Sequence, residues 1–266
     1  MRRVSLIPVV ALALVAGCGG AGKSSGSTGG SYADQIRSAA VKASSTGSSK
    51  LALTSTTMVQ GQAVTFNGAG AFDYTKKTGT IDLHVGGLGS KGATIAERIT
   101  GGDLYLALPM TPNSFYKLKL ADLSGTSLAA GSDPTSSFGS LAGVTDSVTK
   151  VGTEQLRGEQ TTHYKGTVDV QKAVASLTGV AKDLVQKSLV ANGVTTLPFD
   201  AYLDGQGRLR KFMQHVVLTV KGQQTDSTTT VELYDFGTKV DVTAPPASQV
   251  KDGAPLLAAL KKQSAG

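Results

Sequence analysis

Several groups of residues in this 266-residue chain have types and spacings that could do chemistry. Gly17-Cys18-Gly19-Gly20-Ala21-Gly22-Lys23-Ser24 spells a loop whose backbone amides would cradle phosphates, but that chemistry needs a strand before the loop and a helix after it. Here a run of Ser and Gly follows. Gly87-Leu88-Gly89-Ser90-Lys91-Gly92 spells a dinucleotide fingerprint, and again the next segment alternates like a strand where a helix is required. Ser114-Phe115-Tyr116-Lys117 and Ser147-Val148-Thr149-Lys150 have the spacing of a lysine-activated serine, with Lys77-Thr78-Gly79 as a third element. In such enzymes the Lys-Thr-Gly comes last; here it comes first, and both Ser-x-x-Lys copies lie in strand-like sequence. His84, His163 and His215 are the only histidines. A hydrolytic site would need one of them to meet a serine and an acid in a cleft, and the plainer expectation is histidines on a sheet surface. Asp204-Gly205-Gln206-Gly207 lacks the acidic positions of a calcium loop and reads as a hairpin turn. No His/Asp/Glu cluster has metal-ligand spacing. The expectation is a protein that is not an enzyme and uses no metal and no cofactor.

What remains is a single thiol. Cys18, the only cysteine, ends the run Leu14-Val15-Ala16-Gly17-Cys18, behind Arg2, Arg3 and an apolar stretch from Val4 to Val15. About 12 residues are too few to cross a hydrocarbon core that needs about 20. The basic start, short apolar run and small residues before the cysteine form an export signal, and the pattern resembles that of a bacterial lipoprotein. There the thiol receives a diacylglycerol and the freed amine is acylated. One acyl chain binds a membrane reversibly, whereas two or three hold it stably. Residues 1–17 are therefore read as a signal peptide and 18–31 as a Gly/Ser-rich tether reaching roughly 20 Å. Residues 32–266 form the folded domain. The expected location is the extracytoplasmic face of the cell membrane, with the anchor at Cys18.

Composition narrows the rest. Apolar residues make up 40% of the chain and aromatic ones 5%, with no Trp, so the core must be built from Leu, Val, Ala and Ile. A lone cysteine allows no internal disulfide. Loss of Arg2 and Arg3 lowers the formal charge of +7 by two. The lysines are scattered and no basic run has interleaved aromatics, which argues against nucleic acid as a partner.

The elements follow from hydrophobic period. Tyr32 to Ala43 reads as a helix with Ile36, Ala39, Ala40 and Ala43 on one side. From Lys50 the period becomes two, through segments around Leu51–Val59, Val64–Tyr74, Ile81–Val85, Thr94–Thr100, Leu104–Leu108 and Tyr116–Leu120. Gly68 and Gly70 inside the second of these suggest a bend in the sheet. Ala121–Gly143, rich in Ser, Gly and Ala, reads as one or two short helices. Strands resume near Val148 and at Thr161–Val168, joined by a turn at Arg157-Gly158-Glu159. Val170–Leu177 and Val180–Leu189 have helical spacing. Long strands follow at Thr195–Asp204, Arg208–Lys221 and Thr225–Phe236, with Pro245-Pro246 expected to end the sheet and Pro255–Lys262 to form a last helix. Consecutive hairpins imply an antiparallel sheet of about ten strands, and sheets that large curl. The prediction is one α+β domain, a strongly curved antiparallel sheet with helices packed on its concave face.

Two segments carry a recognisable combination, Val151-Gly152-Thr153-Glu154-Gln155-Leu156-Arg157-Gly158-Glu159-Gln160-Thr161-Thr162-His163-Tyr164 and Leu197-Pro198-Phe199-Asp200-Ala201-Tyr202-Leu203-Asp204-Gly205-Gln206-Gly207-Arg208-Leu209-Arg210-Lys211. With Cys18 and Val242-Thr243-Ala244-Pro245-Pro246 they resemble the LppX/LprA/LprF/LprG group of actinobacterial lipoproteins, over most of residues 32–252. The resemblance implies a half-barrel similar to the LolA and LolB carriers, holding acyl chains of an envelope lipid or glycolipid between sheet and helices. It also implies carriage of that lipid across the envelope, with an envelope transporter as a further partner. The residues expected to line such a cavity are Phe66, Phe72, Leu83, Leu106, Phe199 and Leu218 on the sheet and Leu177, Leu184 and Leu189 on the helices. The same residues would equally fill a solid core, which leaves a membrane-anchored interaction or sensing module as the alternative.

Overall fold

The computed structural model describes residues 31–265 apart from 46, 60, 88–91, 112, 124–137, 139, 177–181, 183–184, 187–188 and 221–222. Cys18, the expected signal segment and residues 18–30 of the expected tether lie outside the described residues, as do Leu177 and Leu184.

Ser31 precedes and caps helix α1 (Tyr32–Ser45). Its hydroxyl oxygen accepts the Asp34 backbone N–H at 3.2 Å and its O–H donates to the Asp34 carboxylate at 2.9 Å. This reciprocal cap satisfies one of the free amide groups at the helix start. Ala33, Ile36, Ala39, Ala40 and Ala43 recur every three or four residues and are all buried, so the helix presents one flat, small-residue face to the sheet.

A meander of six strands follows: β1 (Ser48–Val59), β2 (Gln62–Asp73), β3 (Thr78–Gly87), β4 (Ala93–Thr100), β5 (Asp103–Ala107) and β6 (Phe115–Lys119). Short 3-10 turns at Leu120–Leu123 and Ser140–Gly143 bury Leu123 and Leu141. Phe138, just before the second of them, is also buried. The second meander runs β7 (Thr149–Leu156), β8 (Glu159–Asp169), helix α2 (Val170–Ser176), β9 (Thr196–Asp204), β10 (Leu209–Val220) and β11 (Gln223–Tyr234). Arg157 and Gly158 turn β7 into β8 with φ of 49° and 82°. That left-handed pair matches the twist of the strands it joins. Helix α3 (Ala254–Ala265) ends the chain.

The two meanders become one sheet because β1 pairs with β11 over ten residue pairs, Lys50 with Tyr234 through Val59 with Thr225. With a short last strand, β12 (Val250–Asp252), the strand order is β12-β6-β5-β4-β3-β2-β1-β11-β10-β9-β8-β7, and the sheet does not close. Ten of its eleven neighbouring pairs are antiparallel. The exception corrects the sequence reading: the sheet does not end at Pro245-Pro246. A further strand, β12, lies parallel to β6, Val250 opposite Phe115. Three residues are too few for an alternation signal, yet they cap an otherwise open edge.

The concave face carries the core. Leu51, Phe72, Ile99, Leu104, Leu118, Phe199, Phe212, Val231 and Leu233 cluster with the buried residues of α1 and with Val170, Ala173 and Val174 of α2. A smaller cluster of Tyr105, Ala107 and Phe115 with Ala96 and Val250 sits on the opposite face, where Arg98 stacks 4.8 Å from the Phe115 ring.

Candidate ligand-binding face

Directly opposed residues of an antiparallel pair share a face, so the register sorts the concave surface into rows across the strands. One row runs Ser49, Phe72, Gly79, Ile99, Leu104 and Leu118, and every member is buried. The next runs Leu51, Gly70, Ile81, Glu97 and Leu106. The following row, Leu53, Gly68, Leu83 and Ile95, is half-buried apart from Gly68. Ser55, Phe66, Val85 and Ala93 come after it, also half-buried. Burial therefore falls along the strands from the α1 end toward the β1–β2 hairpin. Across the sheet, Val216 opposite Ser227 and Leu218 opposite Thr225 extend the half-buried stretch on β10 and β11.

Between these two apolar flanks runs a polar seam. The hydroxyls of Ser55 and Thr229 lie 3.0 Å apart, as do those of Thr57 and Ser227. Each pair is directly cross-strand. Hydroxyls that bond each other leave little unmet hydrogen-bonding demand, so they can face an apolar ligand at low cost. Two side-chain atoms on this face do lack a partner: Gln214 Nε2 and Glu97 Oε2 are buried and unbonded.

All six expected sheet residues fall on this one face. Phe66, Leu83 and Leu218 belong to the half-buried stretch. Phe72, Leu106 and Phe199 are buried at 5%, 4% and 2% exposure and belong to the packed end. Leu189, at a turn just before a 3-10 helix over Val190–Asn192, is half-buried and packs against the core, as does Val185. Sequence reading passed over Glu97 and Gln214, because a charged or amide residue in a strand is normally assigned to solvent. The signal was available: Glu97 has the parity of Ile95 and Ile99, the apolar side of β4.

Residues considered for other chemistry are placed elsewhere. Gly87 ends β3 and Gly92 precedes β4, while the rest of the dinucleotide-like spelling, residues 88–91, lies outside the described residues. Ser114 to Lys117 enters β6, and Asp204 to Gly207 is a hairpin turn in which the Asp204 carboxylate accepts the Gln206 and Arg208 amides, both at 3.0 Å. Each histidine has a partner other than serine: His84 with Thr94, His215 with Asp226, and His163 with Glu154 at 2.9 Å and Asp200 at 2.5 Å. His163 also stacks on Tyr202 at 4.3 Å on the convex face. No group of three or more metal-ligating side chains gathers among the described residues.

No family model matches the chain. An uncharacterized 31.2 kDa protein of Streptomyces griseus, from the rplA-rplJ intergenic region, is 34% identical over 110 residues. That match covers 40% of this chain, and the chain spans about a third of the length of that relative. Among solved structures, LppX of Mycobacterium tuberculosis superposes with a TM-score of 0.48 at 14% identity, over 79% of this chain and 97% of that one. LprF of Mycobacterium bovis gives 0.45 at 14% identity, over 82% and 100%. The chain is similar to the LppX and LprF lipoproteins. A LolA-superfamily protein of Nitrosomonas europaea aligns over 81% of this chain and 96% of its own, with a TM-score of 0.27 and 9% identity. The two segments that carry the sequence resemblance are adjacent hairpins, β7–β8 and β9–β10, joined by the β8–β9 pairing.

Proposed function

We propose that this protein is a cell-envelope lipoprotein, anchored through acylated Cys18, that binds the acyl chains of a lipid or glycolipid on its concave face and carries them across the envelope. The observation that supports this reading is the fall in burial along the concave strands, which leaves Val64, Phe66, Leu83, Val85, Ile95, Val216 and Leu218 short of full packing. Each methylene removed from water contributes about 0.8 kcal/mol, so a chain of about 15 methylenes would contribute about 12 kcal/mol. Release then needs an opening of the sheet–helix interface or a partner that takes the lipid, since a ligand shifts an equilibrium only by its differential affinity.

Native mass spectrometry with lipid extraction tests the reading, on protein beginning at Ser31 and purified from an actinobacterial host. The expected result is a reproducible added mass that extracts as lipid. A clean protein mass, with no uptake of added phospholipid or glycolipid, would put the second reading first. That reading is a filled half-barrel acting as a membrane-anchored interaction module, and the tight burial of Phe72, Leu106 and Phe199 is the observation in its favour.

The anchor has its own test. Cys18→Ser should move the protein from the membrane fraction to the soluble fraction with its thermal unfolding unchanged, because residues 1–30 precede the first capped helix. Membrane retention of this variant in fractionation would refute the lipid anchor.

A further inference from the structure

Glu97 is the one acidic side chain on the apolar side of β4, and it is 7% exposed. Its cross-strand neighbours are Ile81 on β3 and Leu106 on β5. Along β4 it is flanked on the same face by Ile99, which is buried, and Ile95, which is half-buried. Its sequence neighbour Arg98 points to the opposite face, onto the Phe115 ring. Among the described residues no cation pairs with Glu97, and Oε2 has no hydrogen-bond partner. An unmet buried carboxyl is costly, and proteins seldom keep one without a use. Its place gives the use a direction. Glu97 stands where the packed rows end and the half-buried rows begin, at the floor of the stretch assigned above to acyl chains.

We propose that Glu97 is a polar anchor of this face, hydrogen-bonding a hydroxyl carried by the bound amphiphile. The inference rests on the lipid-binding reading and adds to it the ligand class. A purely apolar ligand would leave Oε2 as unmet as it is now. A hydroxyl satisfies it in either protonation state, donating to the carboxylate or accepting from the neutral carboxyl. Burial alone, with no opposing charge, pushes this carboxyl up to about 7, so both states are accessible near neutral pH. The walls on either side, Ile81, Leu83, Ile95 and Leu106, accommodate the methylenes adjoining such a hydroxyl.

A matched pair of lipids isolates the hydroxyl. Dioleoylglycerol has one free hydroxyl and its deoxy analogue, propane-1,2-diol dioleate, has none, with the same two acyl chains on the same three-carbon backbone. Wild-type protein is expected to bind the diacylglycerol about tenfold more tightly, as measured by displacement of a fluorescent fatty acid, since a hydrogen bond to a buried ionisable group discriminates at that level or above. Glu97→Leu should bind both lipids alike, and Glu97→Gln should retain the preference. Equal binding of the two lipids by wild type would overturn the anchor while leaving the acyl-binding face intact. Failure of wild type to bind either would remove the lipid-binding reading itself. If Glu97→Leu does not fold, the wild-type infrared band of the Glu97 carboxyl, identified by difference against Glu97→Gln, decides the matter. It should shift on adding dioleoylglycerol and stay put on adding propane-1,2-diol dioleate, and a band that ignores both lipids while they bind would sink the proposal.

Discussion

Glutamine in place of Glu97 is expected to stabilise the lipid-free protein by about 3 kcal/mol at pH 8 and to change its stability little at pH 4. The folded carboxyl titrates near 7 against a reference of 4.5, and desolvation is the cause. Below about 4.5 the group is neutral in both folded and unfolded chains and carries no penalty. Between 4.5 and 7 the unfolded chain gives up its proton while the folded one keeps it, so stability falls as pH rises. Above 7 both forms are ionised and the penalty is constant. A rise of about 2.5 units at about 1.36 kcal/mol each sets the size. Glutamine keeps the shape and cannot ionise, so it removes the pH-dependent part alone. Urea unfolding of both proteins at pH 4, 6 and 8 measures it, and the difference between the two midpoints is the quantity to read. A difference that does not change with pH would mean that the carboxylate finds a partner on ionising.

That expectation and the anchor proposal are two sides of one arrangement. A group that weakens the empty protein at neutral pH is one that a ligand can relieve, so stability given up in the free state returns as affinity and selectivity. The polar seam of Ser55, Thr57, Ser227 and Thr229 does not behave this way, because its hydroxyls are already bonded to one another. Polar residues on the concave face thus divide into those that complete the wall and those that await a partner.

The strands were legible because alternation is a local signal that survives in any half-buried sheet. β1 to β11 lie close to where the period-two runs predict them, and the helix over Tyr32–Ala43 extends by only one half-turn, to Ser45. The face of each strand was legible for the same reason, which is why all six expected sheet residues share the concave side. What periodicity could not supply was the order of the two meanders. The β1–β11 pairing joins residues about 180 apart, and nothing local specifies it. β12 was missed because three residues carry no period, and Phe138 and Leu141 because isolated apolar residues in a Ser/Gly-rich stretch trace no apolar face. Which of the face residues are packed and which are left half-buried is also a tertiary property. Phe72 and Phe66 are equivalent in sequence terms, six residues apart on one strand, yet Phe72 lies beneath the core while Phe66 lies beyond its edge.

The close approach of β2 and β3 behind this face depends on a glycine. Gly70→Ala is expected to destabilise the protein by about 3 kcal/mol, whereas Gly152→Ala should be neutral or slightly stabilising. A Cβ built on Gly70 would stand 2.0 Å from the Thr80 carbonyl oxygen and 3.0 Å from the Ile81 Cα. Those atoms are backbone of the neighbouring strand, so the contact cannot be relieved by a side-chain rotation; β2 and β3 would have to part there. At Gly152 a Cβ meets nothing within 4 Å, and replacing glycine there reduces only the entropy of the unfolded chain, worth about 0.4–1 kcal/mol in favour of folding. The two variants make the same chemical change in the same sheet, which removes composition and strand propensity as explanations of any difference. Gly70 is also opposite Ile81, the residue beside Glu97 on the next strand. Parting β2 from β3 would therefore widen the floor of the candidate site, and any Gly70→Ala protein that folds should lose the preference between dioleoylglycerol and propane-1,2-diol dioleate. Chemical denaturation gives the first effect and the displacement assay the second. Equal stability of the two alanine variants would show that β2 and β3 do not need a glycine at position 70 for their close approach.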